Sequence, residues 1–310
     1  MAISDSPTPS SSQPLTAPTA GPGGEPDRLD GPSGADAAPR SAPPAGEPAM
    51  SRRSTACPLV LFAILVFVLE VIVFVAPLSP QVRPFALVLI PATAALIGSA
   101  RSGGAPAVRS LLARLAVWRV RPRWYVAAIL IPVGEKIIVD VAGLLLGQTT
   151  PQRLVSSLTV AALIVPLVVL IPGVLEELGW RGFGVQTAVD GGRSIAWATL
   201  VVGCLFFLVH VPLYLPGHLY HGLPFWPLPL TLLSTSVFLT WIYLRTSSVL
   251  LAGVMHASFS ATVPFTWGLD PTWVWQARAV TLTILATALI ASRQLRTTVD
   301  SPVPAGDTAP

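Results

Sequence analysis

Three short groups of polar residues interrupt otherwise apolar stretches of the chain. Glu176 and Glu177 begin the segment EELGWRG, His210 ends FFLVH, and His256 begins HASFS. On a helix, Glu177 and Arg181 lie four residues apart and can pair along one face, whereas Glu176 is rotated from them by about 100°. This spacing predicts one carboxylate that is neutralised and one that is free.

The histidines are the second group of residues that could take part in catalysis. The chain has only four, and two of them, His210 and His256, fall inside apolar stretches where each needs a polar partner. His256 and Ser260 lie one helical turn apart on the same face. A single buried histidine is usually a core residue whose ring nitrogens are hydrogen-bonded. Acidic residues in the first turn of a helix are usually there because the helix dipole favours them. Their occurrence together favours a catalytic site.

A free carboxylate and two imidazoles from three helices form the minimum set for activating water. Glu176, His210 and His256 could bind a divalent metal such as zinc, which lowers the pKa of a bound water. Alternatively, Glu176 is the general base and the histidines stabilise the oxyanion. No HExxH segment occurs in the chain, and the residues leave both alternatives open.

The composition indicates that these residues belong to a membrane protein. Hydrophobic residues make up 52% of the 310 residues and charged residues 11%, against roughly 25% charged residues in soluble domains. The calculated pI is about 9.6, but the basic residues lie mostly between apolar runs. That placement favours membrane topology, with lipid as a partner, over a nucleic-acid partner.

The apolar runs predict an all-α, polytopic membrane bundle with about eight transmembrane helices. A further segment, about 174–190, is helical in pattern but too polar to face lipid. Residues 1–52 and 294–310 are rich in Pro, Ala, Ser and Asp and are predicted to be disordered tails around a membrane domain at 53–293. The predicted spans are 55–76, 84–100, 124–146, 155–173, 195–213, 229–244, 248–265 and 276–292.

Arginine placement predicts a multi-pass plasma-membrane protein with a cytoplasmic N-terminus. Arg52 and Arg53 precede the first span, and six arginines fill the predicted loop 101–123 after the second. The loop 212–229 has no Lys or Arg, which suits the outer face. In this topology His210 lies about 15 residues, or roughly 22 Å, into its span. Glu176 therefore reaches it only if the segment 174–190 sinks into the bundle.

Other polar residues lie within or beside the spans. Lys136 and Asp140 are spaced to pair, and with Glu135 we interpret them as an internal ion-pair group rather than a proton relay. Glu70 in the first span has no obvious partner and is left unassigned. Tyr220 lies in a Pro-rich loop and is interpreted as part of an interfacial aromatic anchor.

The motifs resemble the CPBP family of intramembrane proteases, which includes CAAX prenyl endopeptidases, bacteriocin-processing proteins and the Abi group. The family pattern is EExxxR, FxxxH and HxxxN in successive membrane helices, and the resemblance covers about residues 155–265. This chain has Ser260 where the family has asparagine. The matching residues are Glu176, Glu177, Arg181, Phe206, His210 and His256.

The resemblance implies an intramembrane endopeptidase that acts on a membrane-associated or lipidated protein. It implies that Glu176 activates water, that His210 and His256 are metal ligands or oxyanion partners, and that Glu177 and Arg181 are a supporting pair. Two other classes stay open. Intramembrane charges and proline-broken helices also occur in transporters and channels, and Ser260 is compatible with a catalytically silent immunity or binding protein on the same scaffold.

Overall fold

The computed structural model describes residues 56–79, 82–152, 169–262 and 269–294, and the regular elements in these ranges are helices. The predicted all-α fold is therefore confirmed. The predicted tail 1–52, all of the predicted tail 294–310 except residue 294, and most of the predicted span 155–173 lie outside the described residues. The helices are α1 (Ala56–Val75), α2 (Arg83–Ala113), α3 (Pro122–Leu145), α4 (169–190 as described), α5 (Ile195–Leu208), α6 (Pro227–Thr246), α7 (Val249–Thr262) and α8 (Pro271–Ala291).

Five of the described helices, α1, α2, α5, α6 and α8, are long and apolar enough to cross a membrane. Helix α7 is apolar but has only 14 residues. Helix α3 has 24 residues, and the charged residues Glu135, Lys136 and Asp140 interrupt its apolar sequence. The protein is thus an integral membrane helix bundle, while the number of eight spans stays a prediction.

Helix α2 is longer than the predicted span 84–100. It continues to Ala113 across a kink at Gly103 and Gly104, where Gly104 has φ 62°. Only glycine adopts such a conformation at low cost, and Pro106 suits the first turn of the arm that follows. The predicted arginine-rich loop therefore begins as a second helical arm.

Helix α4 lies inside the bundle. Its central segment, Leu178–Val185, is a π-helix in which all eight residues are buried, and it contacts α2, α5, α6 and α7. A π-helical segment of this kind is often found at functional sites. The predicted sinking of the segment 174–190 is therefore confirmed.

Glycines allow α4 to approach its neighbours closely. A Cβ atom on Gly179 would lie 2.5 Å from the backbone of Pro91 in α2. On the other side, a Cβ atom on Gly253 of α7 would lie 2.6 Å from the Cα atom of Val174. Backbone atoms of Pro91 and Val174, together with their short side chains, fill these spaces, so α4 is fixed between α2 and α7.

We expect Gly179→Ala to destabilise the protein by about 1–3 kcal/mol, because the added methyl group must displace the α2 backbone. The matched control is Gly134→Ala in α3, where a Cβ atom meets nothing within 4 Å. This control should be neutral or stabilising by up to about 1 kcal/mol, the usual penalty for glycine in a helix. Thermal unfolding in detergent measures both variants, and equal melting temperatures would contradict the close α2–α4 contact.

Candidate active site

A buried ionic cluster holds α4 against two neighbouring helices. The Glu177 Oε1 atom accepts a hydrogen bond of 2.9 Å from Arg181 Nη1 and lies 2.8 Å from His256 Nδ1 in α7. Arg181 Nη2 donates to Ser236 Oγ of α6 at 2.9 Å. The side chains of Glu177 and Arg181 are fully buried. The predicted pair is confirmed, and it also holds His256.

The hydrogen-bond partners of the two imidazoles determine which ring nitrogen can still bind a water molecule, a substrate or a metal. The carboxylate of Glu177 can only accept, so His256 Nδ1 carries a hydrogen and Nε2 is the other available atom. His210 Nδ1 lies 2.8 Å from the backbone oxygen of Phe206, which also only accepts. Each ring is thus oriented through Nδ1, and each leaves Nε2 for another partner.

The ring of Phe206 brings the two histidines together. Its centroid lies 4.8 Å from that of His210 and 5.8 Å from that of His256, both in edge-on geometry. Trp180 packs against the same ring at 5.7 Å, and the Arg181 guanidinium carbon lies 5.6 Å from its centroid. The aromatic position of the FxxxH motif is therefore the packing centre of the site.

Glu176 takes no part in the ion pairs of this cluster. It lines, together with His210 and Trp180, a cavity of about 540 Å³ bordered by α1, α2, α4 and the segment 209–220 that follows α5. It also interacts electrostatically with His256. The structure thus separates the two adjacent carboxylates as the helical spacing predicts: Glu177 is held in ion pairs, and Glu176 lines a cavity.

Tyr220 is a cavity residue that sequence reasoning assigned to an interfacial anchor. Its ring is nearly parallel to that of His210, with centroids 6.5 Å apart, and lies 5.0 Å from that of Trp275. Burial, and less strongly the nearby Glu176, raises the pKa of the Tyr220 phenol. The hydroxyl therefore stays protonated at neutral pH and can donate a hydrogen bond into the cavity. Its occurrence in a Pro-rich loop gave no signal of this position.

Ser260 follows His256 by one turn of α7. Among the described residues, no hydrogen bond joins it to Glu176, His210 or His256, and it does not line the cavity of Glu176 and His210. Its predicted part in catalysis stays a prediction.

The polar residues of α3 form ion pairs away from this cavity. Lys136 pairs with Asp140 along the helix, and Glu135 lies 3.4 Å from Arg278 of α8. Arg278 also donates to Thr262 Oγ1 of α7 at 3.2 Å. The interpretation as internal ion pairs is supported, and Arg278 is the partner that the sequence did not reveal.

Glu176, His210 and His256 are the predicted metal ligands. In the part of the chain that the structure describes, no group of three or more His, Cys, Asp or Glu side chains is arranged to hold a metal ion. The Nε2 atoms of both histidines have the right chemistry for zinc, and metal binding by these residues stays a prediction.

Comparison with known proteins gives one result for the region that holds these residues. Residues 157–262 match the family model described as Type II CAAX prenyl endopeptidase Rce1-like. The match contains α4, α5, α6 and α7, and with them every motif residue described above. A search of curated proteins found no match to the chain.

Proposed function

Because residues 157–262 match the family model described as Type II CAAX prenyl endopeptidase Rce1-like, we propose that this membrane protein is an intramembrane endopeptidase. It hydrolyses a peptide bond in a membrane-associated or lipidated protein. One observation carries the proposal: Glu176 and His210 line the same cavity, while Glu177, Arg181 and His256 form a hydrogen-bonded cluster beside it. A carboxylate beside oriented imidazoles in a cleft is the arrangement that water activation needs.

Glu176 is the general base in this proposal. Its carboxylate takes a proton from a water molecule, and the water oxygen attacks the carbonyl carbon of the peptide bond. Glu177 is unsuited to this role, because its carboxylate is paired with Arg181 and His256 and does not line the cavity. His210, whose Nδ1 atom donates to Phe206, offers Nε2 as an acceptor that orients the same water.

His256 and Tyr220 are the donors that stabilise the negative oxygen of the tetrahedral intermediate. A carboxylate on Nδ1 orients an imidazole and stabilises its protonated form, and Glu177 occupies that position on His256. In the protonated form, Nε2 donates to the oxyanion. The Tyr220 hydroxyl is a second donor from the loop over the cavity.

The intermediate then breaks down to products. The C–N bond cleaves, its electron pair goes to the nitrogen, and the proton held by Glu176 moves to the leaving amine. The products are one carboxylic acid and one amine, with one water consumed per bond. The same carboxyl group therefore acts first as base and then as acid.

The size and lining of the cavity fit a segment of peptide chain. Its volume of about 540 Å³ lies within the range of roughly 300–1,000 Å³ that is typical of ligand sites. Most of its lining residues are apolar, including Val66, Leu87 and Leu213. A substrate that is already held in the membrane could place a few residues there without a large cost of desolvation.

One assay separates this activity from the two alternatives. The purified protein is placed in liposomes with a membrane-anchored prenylated peptide and an entrapped solute. We expect two products whose masses add up to the substrate plus one water. Solute flux without cleavage would identify a transporter, and peptide binding without cleavage or flux would identify a silent binding protein.

The metal dependence is proposed separately. Glu176, His210 and His256 are the proposed ligands of a divalent metal such as zinc, which would polarise the attacked carbonyl and the attacking water. These side chains would have to move together to bind it, because the described residues hold no preformed ligand group. Elemental analysis of the purified protein, paired with chelation, tests this ligand set. About one zinc per chain that is lost together with activity would support it, whereas full activity of metal-depleted protein would contradict it.

A further inference from the structure

A second groove lies on the outside of the bundle, between the spanning helices α1 and α5. Its volume is about 250 Å³, and it shares no lining residue with the cavity of Glu176 and His210. Val60 of α1 is 54% exposed and Trp197 of α5 is 37% exposed, and both line the groove. The groove is therefore open towards the lipid that surrounds these two helices.

The groove begins at the end of the bundle that carries the arginine-rich segment 101–123. Pro58 at the start of α1, Arg114 after α2 and Asp190 at the end of α4 line one small pocket, so these three points lie close together. Arg193, three residues after Asp190, lines the groove. Because basic residues collect at one surface of the membrane, Arg193 lies at the level of the lipid headgroups.

From this end the groove runs into the apolar part of the bundle. Trp197 and Leu205 of α5 both line it and lie eight residues apart, or about 12 Å of helix. This length is close to half of the roughly 30 Å hydrocarbon core of a bilayer. Ala63 of α1 and Ala188 of α4 also line the groove, and their small side chains leave the space open.

Arg193 is the only charged residue that lines the groove. Its guanidinium carbon lies 5.0 Å from the centroid of the Trp197 ring, and no ion pair includes it among the described residues. The nearby Asp190 accepts a hydrogen bond of 2.7 Å from Gln186 instead. The N-terminus of α5, at Ile195, adds its partial positive charge. A guanidinium over an indole ring keeps its N–H groups for an anion.

We propose that this groove binds one anionic phospholipid of the leaflet next to the arginine-rich segment. Arg193 binds the phosphate through its N–H groups, and an acyl chain follows the apolar residues towards Leu205. Such a lipid satisfies both the charge and the apolar length of the groove, whereas an apolar helix of another protein would cover Arg193 without supplying an anion. The site is independent of the proposed peptidase activity, because no hydrolytic step involves it.

Phosphatidylglycerol and phosphatidylcholine with identical acyl chains test the charge. Native mass spectrometry of the detergent-solubilised protein counts the bound lipids and gives their Kd values. We expect one phosphatidylglycerol per chain, bound about 10-fold more tightly than phosphatidylcholine, as a charged hydrogen bond provides. Arg193→Gln should remove this difference. Arg119→Gln is the matched control and should keep it, because Arg119 is also exposed and lies 4.9 Å over Trp118 but does not line the groove.

The place of the acyl chain is tested by filling the groove. Ala63→Phe adds a ring where the chain lies, and it should weaken phosphatidylglycerol binding by about 10-fold or more, since overpacking is costly. Val71→Phe is the control, because Val71 is a 61% exposed residue of the same helix that does not line the groove. A water-soluble glycerol phosphate should not compete with the lipid, because it has no chain to fill the groove.

Four results would overturn the inference. Equal binding of both lipids to the wild-type protein would show unselective contact with bilayer lipid, and this result does not depend on any variant. An unchanged preference in Arg193→Gln would place the anion elsewhere. Equal phosphatidylglycerol binding by Ala63→Phe and Val71→Phe would place the chain outside the groove. Displacement of the lipid by glycerol phosphate would identify a site for a soluble phosphate instead.

Discussion

Glu176→Gln is expected to lower kcat for peptide hydrolysis by about 10²- to 10⁴-fold, the usual contribution of a general base. Glutamine keeps the shape and polarity of the side chain, but its amide cannot take a proton from water. Because Glu176 lines the cavity and is not part of the Glu177 ion pairs, KM and the melting temperature should change little. Initial rates over a range of peptide concentrations in proteoliposomes separate kcat from KM.

The matched control is Asp190→Asn. It also converts an acid to its amide on α4, but Asp190 is exposed at the end of that helix and lies outside the cavity. Its kcat should equal that of the wild-type protein. A Glu176→Gln protein that keeps more than about one tenth of wild-type kcat would place the general base elsewhere.

Arg181→Met is expected to destabilise the protein by about 3–5 kcal/mol. Removing one member of a buried ion pair leaves the other charge uncompensated, and the Glu177 and Arg181 side chains are both fully buried. The hydrogen bond to Ser236 is lost as well. Thermal and denaturant unfolding in detergent measures the change.

Arg193→Met is the control for the loss of an arginine. Arg193 is exposed and lies 5.0 Å over the ring of Trp197, so its replacement should cost about 0.5–1 kcal/mol. The double substitution Glu177→Gln with Arg181→Met should recover part of the stability, because no unpaired charge stays buried. An Arg181→Met protein as stable as the control would show that the buried pair contributes little.

The local part of the site could be predicted from the sequence. Helical periodicity sets the direction of neighbouring side chains, so it predicted that Glu177 pairs with Arg181 and that Glu176 faces elsewhere. The polarity of 174–190 predicted that this segment lies within the bundle rather than against lipid. Both features depend on spacing within one helix, which the sequence displays directly.

The long-range part could not be predicted in the same way. His256 is 79 residues from Glu177, and spacing within a helix says nothing about which helices touch. The sequence therefore offered His256 as a partner of Glu176 or of a metal, whereas its Nδ1 atom contacts Glu177. The same reason hid the pair of Glu135 with Arg278, which joins α3 to α8.

Glycines and loops account for the other differences. Hydropathy identifies apolar segments but not where a helix bends, so the kink at Gly104 and the second arm of α2 were predicted as a loop. The packing of the loop after α5 against α1 and α2 depends on tertiary contacts, such as that of Phe74 with His218 at 5.2 Å. Tyr220 therefore became visible as a cavity residue only in the folded chain.

The central physical claim is that the carboxylate of Glu176 in α4 and the imidazole of His210, just after α5, face one cavity. Cross-linking tests this claim most directly. In a protein with Cys57 and Cys204 replaced by alanine, the pair Glu176→Cys with His210→Cys is treated in membranes with a short bifunctional maleimide. We predict efficient intramolecular cross-linking, detected by mass spectrometry, and none for Glu176→Cys with Arg109→Cys. Absence of the first cross-link, while each cysteine alone still reacts with the reagent, would contradict a shared catalytic cavity.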